Sequence, residues 1–254
     1  MRALVAGGAG GIGRQIVQNM VNDGYRVTIA DVDAQRANEV ARATGASGFV
    51  VADLSTDDGA RLAVEAATAG ETLHALVNTQ GISPKKDGKM RPFYEIDLEE
   101  WNRVLAVNLT GPFLLVKHAY HQFVRDGSAS VVNIVSITAK TGAAGPAGST
   151  FGPFSPSAAH YAASKAALKN LTASVSRELA PLGIRCNAVS PGYLGGGMAG
   201  STASDLDAIM RPQIPLGRAA TAQDVAGVVS FLLSGAAHYI TGETIDVDGG
   251  WIPD

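Results

Sequence analysis

Ala3-Leu4-Val5-Ala6 runs directly into Gly7-Gly8-Ala9-Gly10-Gly11-Ile12-Gly13, and Ile16, Val17 and Met20 follow at helical spacing. A short apolar run bounded by glycine reads as a buried strand. Apolar residues three and four apart read as a helix with one covered face. Strand, glycine turn and helix in this order open a βαβ unit. The glycines allow a tight turn and let the backbone approach a pyrophosphate, which the helix N-terminus then holds. The stretch predicts an alternating α/β fold and a dinucleotide site, with Gly7, Gly10, Gly11, Ile12 and Gly13 as its first contacts.

Working outward, Arg26-Val27-Thr28-Ile29-Ala30 is a second strand ending at Asp31, eighteen residues beyond Gly13. A carboxylate there accepts hydrogen bonds from an adenosine ribose and repels a 2′-phosphate. Val32 and Asp33 follow with no cation to receive that phosphate, so NAD is expected rather than NADP. Val32 is grouped with Asp31 at the cofactor, and Asp33 is assigned to capping the next helix. Phe49-Val50-Val51-Ala52 is a third strand closed by Asp53-Leu54. Leu73-His74-Ala75-Leu76-Val77 is a fourth, closed by Asn78-Thr79-Gln80-Gly81. A fifth spans Ser130 to Val135, a sixth Ile184 to Val189, broken by Pro191-Gly192, and a last one Thr244 to Val247. Strands alternating with amphipathic helices over short links imply a parallel sheet covered on both faces. Ligands of such sheets lie beyond the carboxyl ends of the strands. Asp53, Leu54, Asn78, Gly81, Pro191, Gly192 and Leu194 are therefore also expected at the cofactor.

Tyr161-Ala162-Ala163-Ser164-Lys165 opens a run that reads as helix through Leu168, Leu171, Val175 and Leu179. A spacing of four puts Tyr161 and Lys165 one above the other on one face. A phenol with a pKa of about 10 is a poor base at neutral pH, but a nearby ammonium favours its ionised form. The pair makes a proton donor and acceptor suited to interconverting an alcohol and a ketone. Taken alone, such a pair is usually two surface residues. Ser136, at the end of the fifth strand, can donate a hydrogen bond to a substrate oxygen. His160 is read as a packed neighbour of Tyr161.

Glu99 to Val124 reads as one long helix, apolar on more than one face, which calls for burial against the sheet and another subunit. Pro112 within it removes the hydrogen bond to the carbonyl of Asn108, so a bend that frees this oxygen is expected. The loop from Ile82 to Phe93 carries Lys85, Lys86, Lys89 and Arg91, either a solvated stretch or a receiver of an anionic substrate group. Residues 139–158 read as a long loop without period, carrying Phe151 and Phe154 and arriving directly at Tyr161. Tyr193 to Arg211 reads as a second irregular excursion, with Met198 in it; residues 192–216 are taken together as a substrate-binding segment. Expected substrate contacts are Ser136, Phe151, Phe154, Tyr161, Tyr193 and Met198.

The chain has 254 residues, 46% of them hydrophobic, with a formal net charge of -3. That size suits one domain spanning residues 1–254, and the charge gives no case for nucleic acid or an anionic membrane. Cys186 is the single cysteine, which excludes an internal disulfide framework and suits a reducing compartment. The N-terminal residues are too few for a signal segment, no apolar run is long enough for a membrane span, and a cytoplasmic location is expected. The five histidines show no metal-ligand spacing, and no metal is expected.

With these residues in view, the chain resembles the short-chain dehydrogenase/reductase family from Leu4 to Trp251. The resemblance rests on Gly7-xxx-Gly11-Ile12-Gly13, Asp53-Leu54, Asn108, Ser136, Tyr161-xxx-Lys165, Asn187, Pro191-Gly192, Ile214-Pro215-Leu216-Gly217-Arg218, Ile240-Thr241-Gly242 and Asp248-Gly249-Gly250. It implies a single Rossmann-like, doubly wound domain with a seven-stranded parallel sheet. It further implies a catalytic tetrad of Asn108, Ser136, Tyr161 and Lys165, and a homotetramer. Four features depart from it: Ala6 in place of a threonine, Thr79 and Gln80 in place of Asn and Ala, Gly196 in place of a threonine, and a wider gap between Ser136 and Tyr161. The last marks residues 139–158 as an insertion beside the substrate. The expected function is NAD-dependent interconversion of a secondary alcohol and a ketone; the alternatives are a carbonyl or 3-oxoacyl-type reductase and a catalytically silent nucleotide-binding subunit.

Overall fold

Each apolar run becomes a strand: β1 (Arg2–Ala6), β2 (Arg26–Asp31), β3 (Gly48–Val51), β4 (Ala75–Asn78), β5 (Ser130–Ile134), β6 (Arg185–Pro191) and β7 (Thr244–Val247). They form a seven-stranded parallel sheet in the order β3-β2-β1-β4-β5-β6-β7. The winding reverses between β1 and β4, which opens a crevice at their carboxyl ends. The structure is a computed structural model that describes residues 1–86, 90–142, 158–195 and 203–252.

The helices are α1 (Gly11–Asn22), α2 (Ala34–Thr44), α3 (Asp57–Thr68), α4 (Leu98–Leu105), α5 (Gly111–Ala119), α6 (Thr138–Thr141), α7 (Ala159–Leu179), α8 (Ala203–Met210) and α9 (Ala222–Leu233). Successive strand residues point to opposite faces, and the two cores divide accordingly. Val5, Ile29, Val77, Val132 and Val189 meet Ile16, Met20, Val225 and Val229 from α1 and α9. Leu4, Ala30, Leu76, Val131 and Cys186 meet Ala60, Val64, Leu115 and Leu179 from α3, α5 and α7. At the edge, β3 leaves Phe49 and Val51 exposed.

Three elements differ from the sequence reading. The long helix is interrupted: α4 passes into a π-helical turn, Ala106–Thr110, in which the N–H of Gly111 bonds the carbonyl of Ala106, five residues back. Pro112, which lacks an N–H, sits just beyond, so the backbone widens here rather than simply bending. The helix also ends at Ala119, not Val124, because Phe123 leaves it to bridge Leu73 beside the sheet. Second, β6 extends two residues past Val189 and ends on Pro191 itself. Pro191 needs no N–H there; its carbonyl accepts from Ile137, and Gly192 donates to Val247. Third, α8 and a 3-10 turn, Arg211–Gln213, occupy much of the supposedly irregular excursion, while α6 takes the first residues of the 139–158 loop.

Arg185 shows how the sheet fixes a helix end. Buried at the start of β6, its Nη1 donates to the carbonyl of Leu232 at 2.6 Å and its Nη2 to that of Ser234 at 3.4 Å. These are C-terminal carbonyls of α9, which lack partners within the helix and favour a cation. Arg185→Met should lower stability by about 1–3 kcal/mol, read as a lower urea midpoint. An unchanged midpoint would show that this cap contributes nothing.

Candidate active site

The glycine loop is shaped by close approach. Gly7 has φ +74°, and a Cβ there would lie 2.6 Å from the nitrogen of Gln80; one on Gly13 would lie 2.4 Å from the carbonyl oxygen of Gly7. Thr79 completes the cradle, its hydroxyl donating to the carbonyls of Ala6 at 2.8 Å and Gly7 at 2.9 Å. Gly10 caps α1 without a side chain, leaving the first-turn N–H groups of Gly11, Ile12 and Gly13 available to an anion. Asp31, at the end of β2, accepts from the N–H of Ala9 at 3.1 Å and of Asp33 at 3.2 Å. Asp33 caps α2 as expected and holds the Arg36 guanidinium 4.0 Å away, and Val32 lies exposed beside them. A cradle that any Cβ would fill, an open helix N-terminus and a carboxylate on the neighbouring strand fit a dinucleotide.

The other strand-end residues are placed as follows. Asp53 accepts from the N–H and hydroxyl of Ser55, and Leu54 is buried with its carbonyl against Gly111. Pro191 is buried, Gly192 lies so close to Asp248 that a Cβ would meet it at 2.7 Å, and Leu194 bridges Ala220. The buried Asn78 side chain opens a chain of hydrogen bonds across the sheet. It donates to Asn133 at 2.8 Å, Asn133 donates to Thr172 at 2.9 Å, and Thr172 to the carbonyl of Leu168.

The tetrad residues converge where β4 and β5 end. Gly81 makes this possible: a Cβ there would stand 3.2 Å from Lys165 Nζ and 3.6 Å from Asn108 Oδ1. The buried Asn108 side chain accepts from the N–H of Ile82 at 2.8 Å and donates to its carbonyl and to Ser164, each at 3.0 Å. Ser164 in turn donates to the carbonyl of Tyr161 at 2.7 Å. Asn108 thus clasps the strand end to the turn that carries Tyr161. Lys165 is buried, with Nζ donating to the carbonyl of Ile134 at 2.8 Å and lying 5.9 Å from the centre of the Tyr161 ring. Burial lowers its pKa from 10.5 to about 8. Tyr161 keeps part of its surface open, yet its phenol is deep enough in protein for burial to raise its pKa, and the nearby Ser136 hydroxyl opposes that rise. The net direction is up, because desolvation outweighs Ser136, and the lowering expected from Lys165 is not among the causes with Nζ 5.9 Å from the ring centre.

Around this centre, His160 is fully buried, with Nε2 3.0 Å from Glu100, and Glu100 also pairs with Arg91 at 3.3 Å. Arg91 lies 3.4 Å from Asp97 as well, so of the expected cationic loop it is neutralised within the fold. Lys86 stands exposed and Lys85 partly so; Lys89 lies outside the described residues. Tyr193 donates to Asp207 on α8 at 2.8 Å; burial first, and the Asp207 contact second, push its pKa up to about 12. Phe151, Phe154 and Met198 lie outside the described residues. Sequence reasoning assigned no role to Thr79, Ser164 or Thr138, whose hydroxyls bond site groups. Their one signal was position, beside the glycine loop's partner strand, between Tyr161 and Lys165, and just after Ser136.

The comparisons with known proteins show the family. A family model described as Enoyl-(Acyl carrier protein) reductase matches residues 7–252. Cis-4-hydroxycyclohexanecarboxylate dehydrogenase of Sinomonas cyclohexanicum is 37% identical, covering 98% of this chain and 95% of its own. A 3-oxoacyl-[acyl-carrier-protein] reductase of Staphylococcus aureus is 35% identical, with 98% and 96% covered. The structure of a 3-oxoacyl-[acyl-carrier protein] reductase with bound NAD from Brucella melitensis superposes with a TM-score of 0.85 at 30% identity, covering 99% of this chain and 91% of that one. The chain belongs to the short-chain dehydrogenase/reductase family. It is an oxidoreductase of that family.

The buried ammonium sets a test. A fall from 10.5 to about 8 corresponds to about 3 kcal/mol against the charged form. Below pH 8 both folded and unfolded chains are protonated there and the full penalty is present; between about 8 and 10.5 only the unfolded chain holds the proton, so stability rises with pH. Lys165→Met should therefore be more stable than the parent at pH 7 by about 1–2 kcal/mol, after the loss of the Ile134 hydrogen bond. The margin should shrink above pH 8. Thermal unfolding of the cofactor-free proteins would contradict this if Lys165→Met were the less stable at pH 7.

Proposed function

We propose that the chain is an NAD-dependent dehydrogenase that interconverts a secondary alcohol and a ketone, with Tyr161 as the acid and base. The observation that supports this most strongly is the meeting of Tyr161, Ser136, Lys165 and Asn108 beside the glycine cradle, where β4 and β5 end. When bound, NAD supplies the hydride acceptor. The loop from Gly7 to Gly13 holds its pyrophosphate and Asp31 its adenosine ribose. Lys165 spends one donor on Ile134 and has others for the nicotinamide ribose. Ser136 donates a hydrogen bond to the substrate oxygen, and Tyr161 takes the alcohol proton. The Asn108 carbonyl, in the widened turn, holds the water that passes this proton onward.

The relative from Sinomonas cyclohexanicum acts on a cyclic hydroxy acid, which supports a substrate with a ring-sized apolar body. Phe151, Phe154, Tyr193 and Met198 are the residues proposed to enclose it, within an inserted loop at 139–158 and an excursion at 192–216 of one catalytic domain. The relatives that reduce 3-oxoacyl groups support a second reading, the same chemistry run in the reductive direction. Trp101 on α4 and Phe113 on α5, both open to solvent, support burial against other copies in a homotetramer. A cytoplasmic location completes the reading.

A panel of secondary alcohols and ketones, followed at the nicotinamide absorbance, tests the reaction class. NAD should exceed NADP in kcat/KM by at least about tenfold, and Asp31→Ala should narrow the gap. Equal efficiencies with both cofactors would remove the role given to Asp31. Light scattering at micromolar concentration should report a tetramer; a monomer would refute the assembly.

A further inference from the structure

The Ser136 hydroxyl is held by a residue that no motif singles out. Thr138, buried two residues on at the start of α6, donates its hydroxyl to Ser136 Oγ at 3.0 Å and its backbone N–H to the same oxygen at 3.3 Å. α6 is itself anchored, since Lys140 is ion-paired with Asp246 on β7. A serine hydroxyl has two lone pairs and one proton. With both lone pairs taken by Thr138, the proton is what Ser136 has left to offer, and the hydroxyl lies near enough to the Tyr161 phenol to oppose the rise in its pKa.

We propose that Thr138 is a positioning residue that fixes Ser136 as a hydrogen-bond donor and leaves the Tyr161 oxygen as the sole acceptor for the substrate proton. The inference rests on the roles proposed above for Ser136 and Tyr161. In oxidation the O–H bond of the alcohol breaks and its proton passes to the Tyr161 oxygen. The carbinol C–H bond breaks with it, its electron pair leaving as hydride for the nicotinamide. A Ser136 with a vacant lone pair would be a competing acceptor, holding the alcohol proton in a direction from which Tyr161 cannot take it. With the lone pairs filled, Ser136 points its proton at the substrate oxygen. The chain from Thr138 through Ser136 also polarises that proton and strengthens the donor.

Thr138→Val keeps the shape and the backbone N–H but removes the hydroxyl, and Thr138→Ser puts a hydroxyl back. Thr138→Val should lower kcat by about tenfold or more with KM for the alcohol within about twofold, and Thr138→Ser should recover most of the loss. A second readout is independent of turnover. Ionisation of Tyr161 is read as the ultraviolet difference between each protein and its counterpart carrying Tyr161→Phe. It should move to higher pH in Thr138→Val, where the phenolate loses a polarised donor, and return in Thr138→Ser. The titratable and charged groups on α7 near Tyr161 and on the elements packed against it are His160, Lys165, Glu99, Glu100, Arg103, Lys140, Arg185 and Cys186, all unchanged in these variants. Wild-type kcat and an unmoved titration in Thr138→Val, or no recovery in Thr138→Ser, would overturn the proposal. Should Thr138→Val not fold, Thr138→Ala carries the same expectations. Retained turnover in Tyr161→Phe alone would instead overturn the reading beneath it, so the two failures are told apart.

Discussion

The Lys165 ammonium, buried against the carbonyl of Ile134, is the constraint on which the site depends. A charge with one protein hydrogen bond is an unfavourable thing to place between a helix and a sheet. The fold tolerates it because its placement satisfies other demands. It ties α7 to the end of β5, sets Tyr161 one turn earlier on the same face, and favours a residue without a side chain in the segment that follows β4. Gly81 meets the last demand, with Asn108 fastening the adjoining strand end from the other side. A site that opposes local stability in this way is expected where function has set the residues.

The second half of the site is a contact between backbones. Gly7 and Gly13 approach each other and the Thr79-Gln80 segment more closely than any side chain would allow. The Thr79 hydroxyl holds this approach by bonding the carbonyls at the end of β1. The resemblance places a threonine at position 6, where this chain has Ala6. In this chain the hydroxyl that braces the cradle belongs to Thr79, just beyond β4. Because β1 and β4 flank the point where the winding reverses, the brace sits at the crevice itself.

Much of this was legible in the sequence, for identifiable reasons. Central strands of a parallel sheet are buried on both faces, so Ala3–Ala6 appears as an unbroken apolar run and Ser130–Val135 as one interrupted only by Asn133 after its first serine, with amphipathic helices between the strands. The four-residue spacing of Tyr161 and Lys165 is a property of one helix and survives without tertiary information. What failed depended on partners far along the chain. Leu73 draws Phe123 out of a helix that its own pattern would continue. The π-helical turn at Ala106–Thr110 leaves apolar periodicity nearly intact and so is invisible to it. Pro191 looks like a strand breaker, yet the sheet asks only for its carbonyl. The direction of the Tyr161 shift needed a depth and a distance, and sequence supplies neither.

The account stands on Tyr161 carrying the proton in a reaction whose other components are held independently. The most direct measurement is the turnover of Tyr161→Phe beside its affinity for NADH by fluorescence titration. The phenyl ring keeps the packing, and the glycine cradle, Asp31 and Lys165 are untouched. The account predicts loss of turnover by at least about a thousandfold with NADH affinity within about threefold of the parent. A Tyr161→Phe enzyme that kept a substantial share of wild-type turnover would contradict it.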